Sequence, residues 1–237
     1  MSMRLDKYLS NMGVGTRREV KKLIQYGKVM VNEEVVKIID LKVSEEDDHI
    51  KVYGKTIGYT ANIYIMLNKP AGCVTATHDL KDKTVLDLIN HKRKKDLFPI
   101  GRLDKDTEGL LILTNDGQLA HRLLSPKKHV PKVYYARIKG CVTLADCKRF
   151  SEGVTLEDGY TTMPAKLEIL SAGSESEIHI TIHEGKFHQV KRMFEAVDKE
   201  VIYLKRIQMG GLSLDPNLRL SGYRELREDE VQALETF

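Results

Sequence analysis

The sequence predicts an α+β fold in two parts, and three observations carry that reading. The chain has 237 residues, more than one minimal domain requires and the length of a small module plus a larger one. Strand-like and helix-like segments follow one another without a regular βαβα alternation. This excludes a doubly wound parallel sheet and points to a mixed, largely antiparallel one. A stretch with two glycines and few large apolar side chains, residues 54–61, marks a linker. The expected boundaries are therefore 1–58 for the small module and 62–237 for the larger one.

Hydrophobic residues make up 41% and charged residues 30%, the balance of a globular chain rather than a disordered one. No apolar run approaches the ~20 residues of a membrane span, and the first residues lack a signal-type apolar stretch. The three cysteines, Cys73, Cys141 and Cys147, are odd in number and form no C-x-x-C pair, so neither a disulfide framework nor a structural zinc site is expected. The cytoplasm is the expected compartment, with no membrane partner and a monomer as the simplest state. The formal charge of +4 permits nucleic-acid binding without requiring it. Its distribution says more: residues 1–30 hold seven Lys/Arg against two Asp/Glu, whereas residues 31–58 hold four against seven. With no tryptophan and 6% aromatics, broad base stacking is disfavoured against contact with phosphates and folded RNA shape.

In the small module, Leu5, Tyr8, Leu9 and Met12 fall at helical spacing, and Gly13 and Gly15 end that helix. Thr16-Arg17-Arg18-Glu19 has capping-box spacing for a second helix. Val20, Leu23 and Ile24 share one face of it, and Arg17, Arg18, Lys21 and Lys22 share the other. Short strands are expected around residues 29–31, 35–36 and 50–52, with an acidic turn at residues 45–48. Four cations on one helical face suit the phosphates of an RNA stem, although charged helical faces are most often simply solvated. The string R-L-D-K-Y-L-S-N-M-G…T-R-R-E-V-K-K-L-I…G-K-V-x-V-N resembles the S4 RNA-binding domain over most of residues 3–53, leaving Met1-Ser2 as an extension. The resemblance makes the four cations RNA-binding residues.

In the larger module, Ile63, Ile65 and Leu67 alternate with Asn62, Tyr64 and Met66 as a half-buried strand running into the turn Asn68-Lys69-Pro70-Ala71-Gly72. Residues 81–95 are strongly basic, which reads as a solvated loop or, secondarily, an RNA-facing one. Arg102, Asp104 and Asp106 lie on a loop between Gly101 and Gly109. The apolar run 110–113 then forms a buried strand, closed by the turn Asn115-Asp116-Gly117. Leu119, Leu123 and Leu124 give a short helix ended by Ser125-Pro126. Residues 132–138 form a strand whose alternation places Tyr134 and Tyr135 on opposite faces, so only one can enter a given pocket. Ile178, Ile180 and Ile182 alternate in another strand. Val190, Met193, Phe194 and Val197 form a helical apolar stripe, with His188, Lys191, Arg192 and Glu195 opposite.

Five ordered blocks in this chain, the S4-like module, L-N-K-P-x-G, G-R-L-D-x-x-T-x-G-L, K-x-Y-x-A and E-G-K-x-H-Q-V-K-R-M, together resemble pseudouridine synthases, the RNA-modifying isomerases, in their RsuA branch. The closing strings G-G-L-S-L and L-S-G-Y-R-E-L resemble the family's last strands. The resemblance implies an α+β chain with an S4-like domain and a catalytic domain built on a mixed sheet. It implies Asp104 as the catalytic aspartate, Tyr134 as the active-site tyrosine and Lys191 as the cation paired with that aspartate. Arg102 would fill the vacated base stack or hold a flanking phosphate. It also implies ribosomal RNA as substrate, most closely 16S rRNA or a small-subunit assembly intermediate, with 23S rRNA as the alternative.

The chemistry that the resemblance implies is an isomerisation. The N1–C1′ bond of a uridine breaks, the base turns, and C5 bonds to C1′, with no redox change. No cofactor and no metal are expected. Gly13 and Gly15 lack the strand context of a dinucleotide fingerprint, and His179, His183 and His188 straddle a strand, a turn and a helix without metal-ligand spacing. A carboxylate beside the anomeric carbon can stabilise its charge, bond to it or take a neighbouring proton, and a nearby cation favours the ionised form. The competing readings are a non-catalytic RNA-binding ribosome-assembly factor and a metal-dependent nuclease, which would need more converging acids than Asp104 and Asp106.

Overall fold

The computed structural model describes residues 2–44, 47–57 and 62–237. The chain divides into two compact units, Met1–Ala61 and Asn62–Phe237.

The first unit opens with β1 (Ser2–Arg4), α1 (Leu5–Asn11) and α2 (Arg17–Gln25), followed by β2 (Val29–Val31), β3 (Glu34–Val35), β4 (Lys42–Ser44), β5 (Ile50–Val52) and β6 (Lys55–Ile57). The capping box at the start of α2 is present: Thr16 accepts from the Glu19 amide, and Glu19 accepts from the Thr16 amide at 2.8 Å. Leu5, Tyr8 and Leu9 of α1 and Val20 and Ile24 of α2 pack on Val29, Val31, Ile50 and Val52, the apolar sides of β2 and β5. Arg17, Arg18, Lys21 and Lys22 are all exposed. The structure departs from the sequence reading in three places. Ser2–Arg4 and Lys42–Ser44 form a strand pair that the sequence reading did not include. The second strand is Glu34–Val35 rather than 35–36. Part of the expected linker, Lys55–Ile57, pairs with β5; its single apolar residue, Ile57, packs against the core of this unit but is too little to signal a strand. The rest of that linker, residues 58–61, and Glu45 and Glu46 of the expected acidic turn lie outside the described residues.

The second unit is built on one nine-stranded mixed sheet. Its elements are β7 (Tyr64–Lys69), β8 (Phe98–Ile100), β9 (Glu108–Thr114), α3 (Gly117–Leu124), β10 (Lys132–Lys139), α4 (Leu144–Glu152), β11 (Lys166–Ser171), β12 (Glu175–Ile182), α5 (Gln189–Glu195), β13 (Glu200–Met209), β14 (Leu212–Ser213), β15 (Tyr223–Glu225) and α6 (Glu228–Glu235). The order across the sheet is β11-β12-β10-β13-β9-β7-β15. Every pairing is antiparallel except that of β13 with β9.

Both faces of the sheet are covered. On one face Ile65, Leu67, Leu111, Leu113, Ala136 and Ile180 pack with Phe150 of α4 and Val190, Met193 and Phe194 of α5. On the other, Met66, Leu110 and Ile112 pack with Leu119 and Leu123 of α3 and Leu234 of α6. This is why β7, expected to be half-buried, is buried along nearly its whole length: a strand inside a doubly covered sheet has no solvent face.

The parallel step between β9 and β13 explains one glycine of the central motif. Gly109 sits opposite Arg206 with φ near +100°. A Cβ there would lie 2.2 Å from the Arg206 carbonyl oxygen and 2.8 Å from its amide nitrogen. Gly109→Ala should therefore combine left-handed strain with a backbone collision, lowering stability by about 3 kcal/mol. A denaturant melt of the full chain reads this as a lower midpoint, whereas an unchanged midpoint would show that β13 can shift aside.

Candidate active site

A cavity of about 910 Å³ opens on the second unit, lined by Arg102, Asp104, Lys132, Tyr134, His188 and Arg206 among others. The elements that bring these together are far apart in sequence. Asp104 comes from the loop between β8 and β9, Tyr134 from β10, His188 from the entry to α5, and Arg206 from β13.

The Asp104 loop is held from beneath by a buried lysine. Lys69, the last residue of β7, is fully buried. Its Nζ donates to the carbonyl oxygens of Thr107 at 2.8 Å, Asp104 at 3.0 Å, Pro70 at 3.1 Å and Lys105 at 3.4 Å. Burial pushes this ammonium below its ordinary value, while Cys73, Asp106 and Asp104 act the other way. Two further ties join the same segments: the Gly72 amide donates to the Lys105 carbonyl at 2.7 Å, and Thr75 donates to the Leu103 carbonyl at 2.7 Å. Within the loop the Thr107 amide closes a turn onto the Asp104 carbonyl at 3.1 Å. Gly101, at φ +73°, supplies the left-handed residue that starts it.

With its backbone fixed, Asp104 keeps its carboxylate free. Among the described residues no direct hydrogen bond reaches it, and two basic side chains stand off at 3.7 Å, His188 Nε2 on one oxygen and Lys191 Nζ on the other. The closer partner of Lys191 is Asp106, bound through both carboxylate oxygens at 2.7 Å. The sequence reading gave Lys191 to Asp104; the structure divides it between the two acids. Burial opposes the charge on Asp106, and the Lys191 ammonium more than offsets this, so that carboxyl lies below its usual range. The separation of the two tyrosines expected from alternation is present. Tyr134 is buried and lines the cavity, while Tyr135 packs edge-on to His179 and Tyr203 outside it. Arg102 is exposed at the cavity.

The helix that carries Lys191 is anchored by its motif residues. Gln189, 4% exposed, donates from Nε2 to Glu184 at 2.7 Å and accepts from the Lys186 amide at 2.8 Å. Glu184 also accepts from the Tyr160 hydroxyl and the Met163 amide. The glutamate and glutamine of the E-G-K-x-H-Q block thus build the turn that positions His188 and Lys191. Sequence reasoning weighed His188 only as a metal ligand; its neighbour is the carboxylate of Asp104. Among the described residues no group of three or more His, Cys, Asp or Glu is placed to hold a metal ion.

Removing the Lys69 ammonium takes a charge-assisted hydrogen bond from four carbonyl oxygens, although those of Asp104 and Lys105 keep an amide donor, at a cost of about 1–3 kcal/mol for each bond lost. Lys69→Met should lower stability by about 3 kcal/mol or more and release the Asp104 loop. Thermal melting together with hydrogen exchange of the Thr107 amide measures both effects; unchanged protection of that amide would show that the turn holds itself.

Comparisons with known proteins agree with this geometry. Residues 63–196 match the family model for RNA pseudouridylate synthase, and residues 3–49 match the S4 domain. The RNA pseudouridine synthase YtzG of Bacillus subtilis is 50% identical over 98% of both chains. The ribosomal large subunit pseudouridine synthase B of the same organism is 40% identical, covering 98% of this chain and 95% of that one. The ribosomal small subunit pseudouridine synthase A of Vibrio cholerae is 39% identical, covering 98% and 99%. A solved pseudouridylate synthase superimposes with a TM-score of 0.71 at 37% identity, over 98% of this chain and 99% of that one. The chain therefore belongs to the RNA pseudouridine synthase family, in the group that carries an N-terminal S4 domain.

Proposed function

We propose that this synthase isomerises a uridine of 16S rRNA, with Asp104 as the carboxylate acting at C1′. The observation that carries the role of Asp104 is its carboxylate, free of hydrogen bonds and facing a cavity between His188 and Lys191. An acid that must approach a sugar carbon cannot be tied up by neighbours. Lys191 brings a positive charge to 3.7 Å from it. Tyr134 packs against the uracil ring. A uridine inside folded RNA reaches this cavity only after flipping out of its stack, and Arg102 stands exposed where the vacated position or the flanking phosphate would be. On the first unit, Arg17, Arg18, Lys21 and Lys22 of α2 offer an exposed basic face for phosphates.

The small-subunit RNA is favoured by the string His188-Gln189-Val190-Lys191-Arg192-Met193-Phe194 with the downstream Gly210-Gly211-Leu212-Ser213-Leu214-Asp215, and by the 39% identity to the Vibrio small-subunit synthase. The 40% identity to a large-subunit synthase supports 23S rRNA as the second reading.

Asp104→Asn should lower single-turnover pseudouridine formation by about 10⁴-fold, whereas Asp106→Asn should cost less than about tenfold. Loss on Asp106→Asn alone would reverse the assignment. A pseudouridine map of both rRNAs from cells with and without the protein identifies the target: a missing modification in 23S rather than 16S rRNA selects the second reading. EDTA should leave the rate unchanged. Replacing Arg17, Arg18, Lys21 and Lys22 by Gln should weaken RNA binding and flatten its salt dependence by about one unit of slope per lost phosphate contact, read from binding isotherms at several salt concentrations.

A further inference from the structure

Two cations in the cavity play no part in the chemistry above. Arg206 is only 2% exposed. Its Nε donates to the Leu110 carbonyl at 2.8 Å, which fixes the plane of the guanidinium, and one terminal amino group, also buried, has no partner among the described residues. Lys132 lies on the adjoining strand and donates to its own Val130 carbonyl at 2.9 Å. No carboxylate forms an ion pair with either cation among the described residues. The nearest acid influence, Glu184, already accepts from Tyr160, Met163 and Gln189. Burial, and then the like charge of Arg206, press the Lys132 ammonium down to about 8, with Glu184 opposing. Lys132 is half-buried; the fully buried charge of Arg206, without a counter-ion, is costly, and its buried N–H without an acceptor adds to that cost. Both are accounted for by a ligand that arrives with negative charge on a planar acceptor.

The register places that ligand. Arg206 is the direct cross-strand neighbour of Tyr134 between β10 and β13, and Lys132 lies two residues along β10 on the same side as Tyr134. All three line the cavity with Asp104. A uracil ring packed on Tyr134 would turn its edge toward the two cations. We propose that Arg206 and Lys132 bind the carbonyl oxygens of the uracil and hold the negative charge that the ring carries after it leaves the sugar. This rests on the reading that Asp104 acts at C1′. When the N1–C1′ bond breaks, its electron pair stays on N1 and spreads onto O2 and O4 of the ring. C5 of that anion then bonds to C1′, C5 loses its proton and N1 gains one, so product and substrate are isomers. Fixed donors aimed at developing charge lower the barrier to the first step without strengthening RNA binding.

The test is single-turnover kinetics of Arg206→Gln, Arg206→Lys and Lys132→Met on rRNA, with RNA affinity measured separately. Arg206→Gln should lower the rate constant by about 10²-fold while the Kd for RNA changes less than about threefold, and Arg206→Lys should recover part of the rate. The wild-type rate should fall as pH rises through about 8, as Lys132 loses its proton. The charged groups acting on Lys132 are Arg206 of β13 and Glu184 after β12, and His129, His183 and His188 line the same cavity. Arg206→Gln removes the like charge and should shift that decline to higher pH; Lys132→Met should abolish it. If Arg206→Gln fails to fold, Lys132→Met and the pH profile carry the test. Full rates in the folded variants, or a loss confined to RNA affinity that marks a backbone phosphate as the ligand, overturn the proposal. Active wild type with inactive Asp104→Asn upholds the Asp104 reading independently; an inactive Asp106→Asn with active Asp104→Asn overturns both.

Discussion

The catalytic unit depends on an ammonium group enclosed by carbonyl oxygens. Lys69 ends β7, an inner strand of a doubly covered sheet, and its Nζ gathers the carbonyls of residues 70, 104, 105 and 107. A short polar loop has no core of its own and would sample many conformations. The buried charge replaces that missing core with charge-assisted hydrogen bonds, each worth more than a neutral one. It also brings a fixed positive charge beneath the backbone of Asp104 while making no hydrogen bond to its carboxylate. The loop can therefore be rigid and its side chain uncommitted at the same time.

Charge around the site is arranged as a competition rather than a set of closed pairs. Lys191 binds Asp106 with both oxygens and stands 3.7 Å from Asp104. The pair with Asp106 is partly exposed, where ion pairs contribute little to stability. The same economy governs the opposite wall, where the half-buried Lys132 and the buried Arg206 have no ion-pair partner among the described residues. Strong pairing is reserved for residues that shape the scaffold, such as Glu184 and Gln189 at the head of α5.

The fold class, the capping box of α2, the strands of residues 110–113 and 132–138 and the α5 stripe were legible because each is a periodic apolar pattern or a spaced local motif. The roles of the motif residues were less so. Lys69 reads as a polar turn residue, since nothing in its neighbours reveals that four distant carbonyls converge on it. Gly109 reads as a loop glycine until β13 is seen passing at its Cα. Strand β13 itself escaped notice because Lys205-Arg206 interrupts its apolar alternation, and the interruption is the cavity side chain. His188 lay in view as a histidine without ligand spacing, its true neighbour 84 positions away in the chain. Long-range polar convergence leaves no periodic trace, and active sites are made of it.

Strand β13 has one more implication, for the order of events during synthesis. Among the described residues it is the one strand that bridges the part of the sheet that bears Tyr134, β11-β12-β10, and the part that leads to Asp104, β9-β7-β15. Chains grow from the N-terminus and compact as they emerge. A nascent chain that has not yet reached residue 200 holds the aspartate and the tyrosine on two separate ribbons. The two halves of the sheet can join only once this last long strand has been laid down.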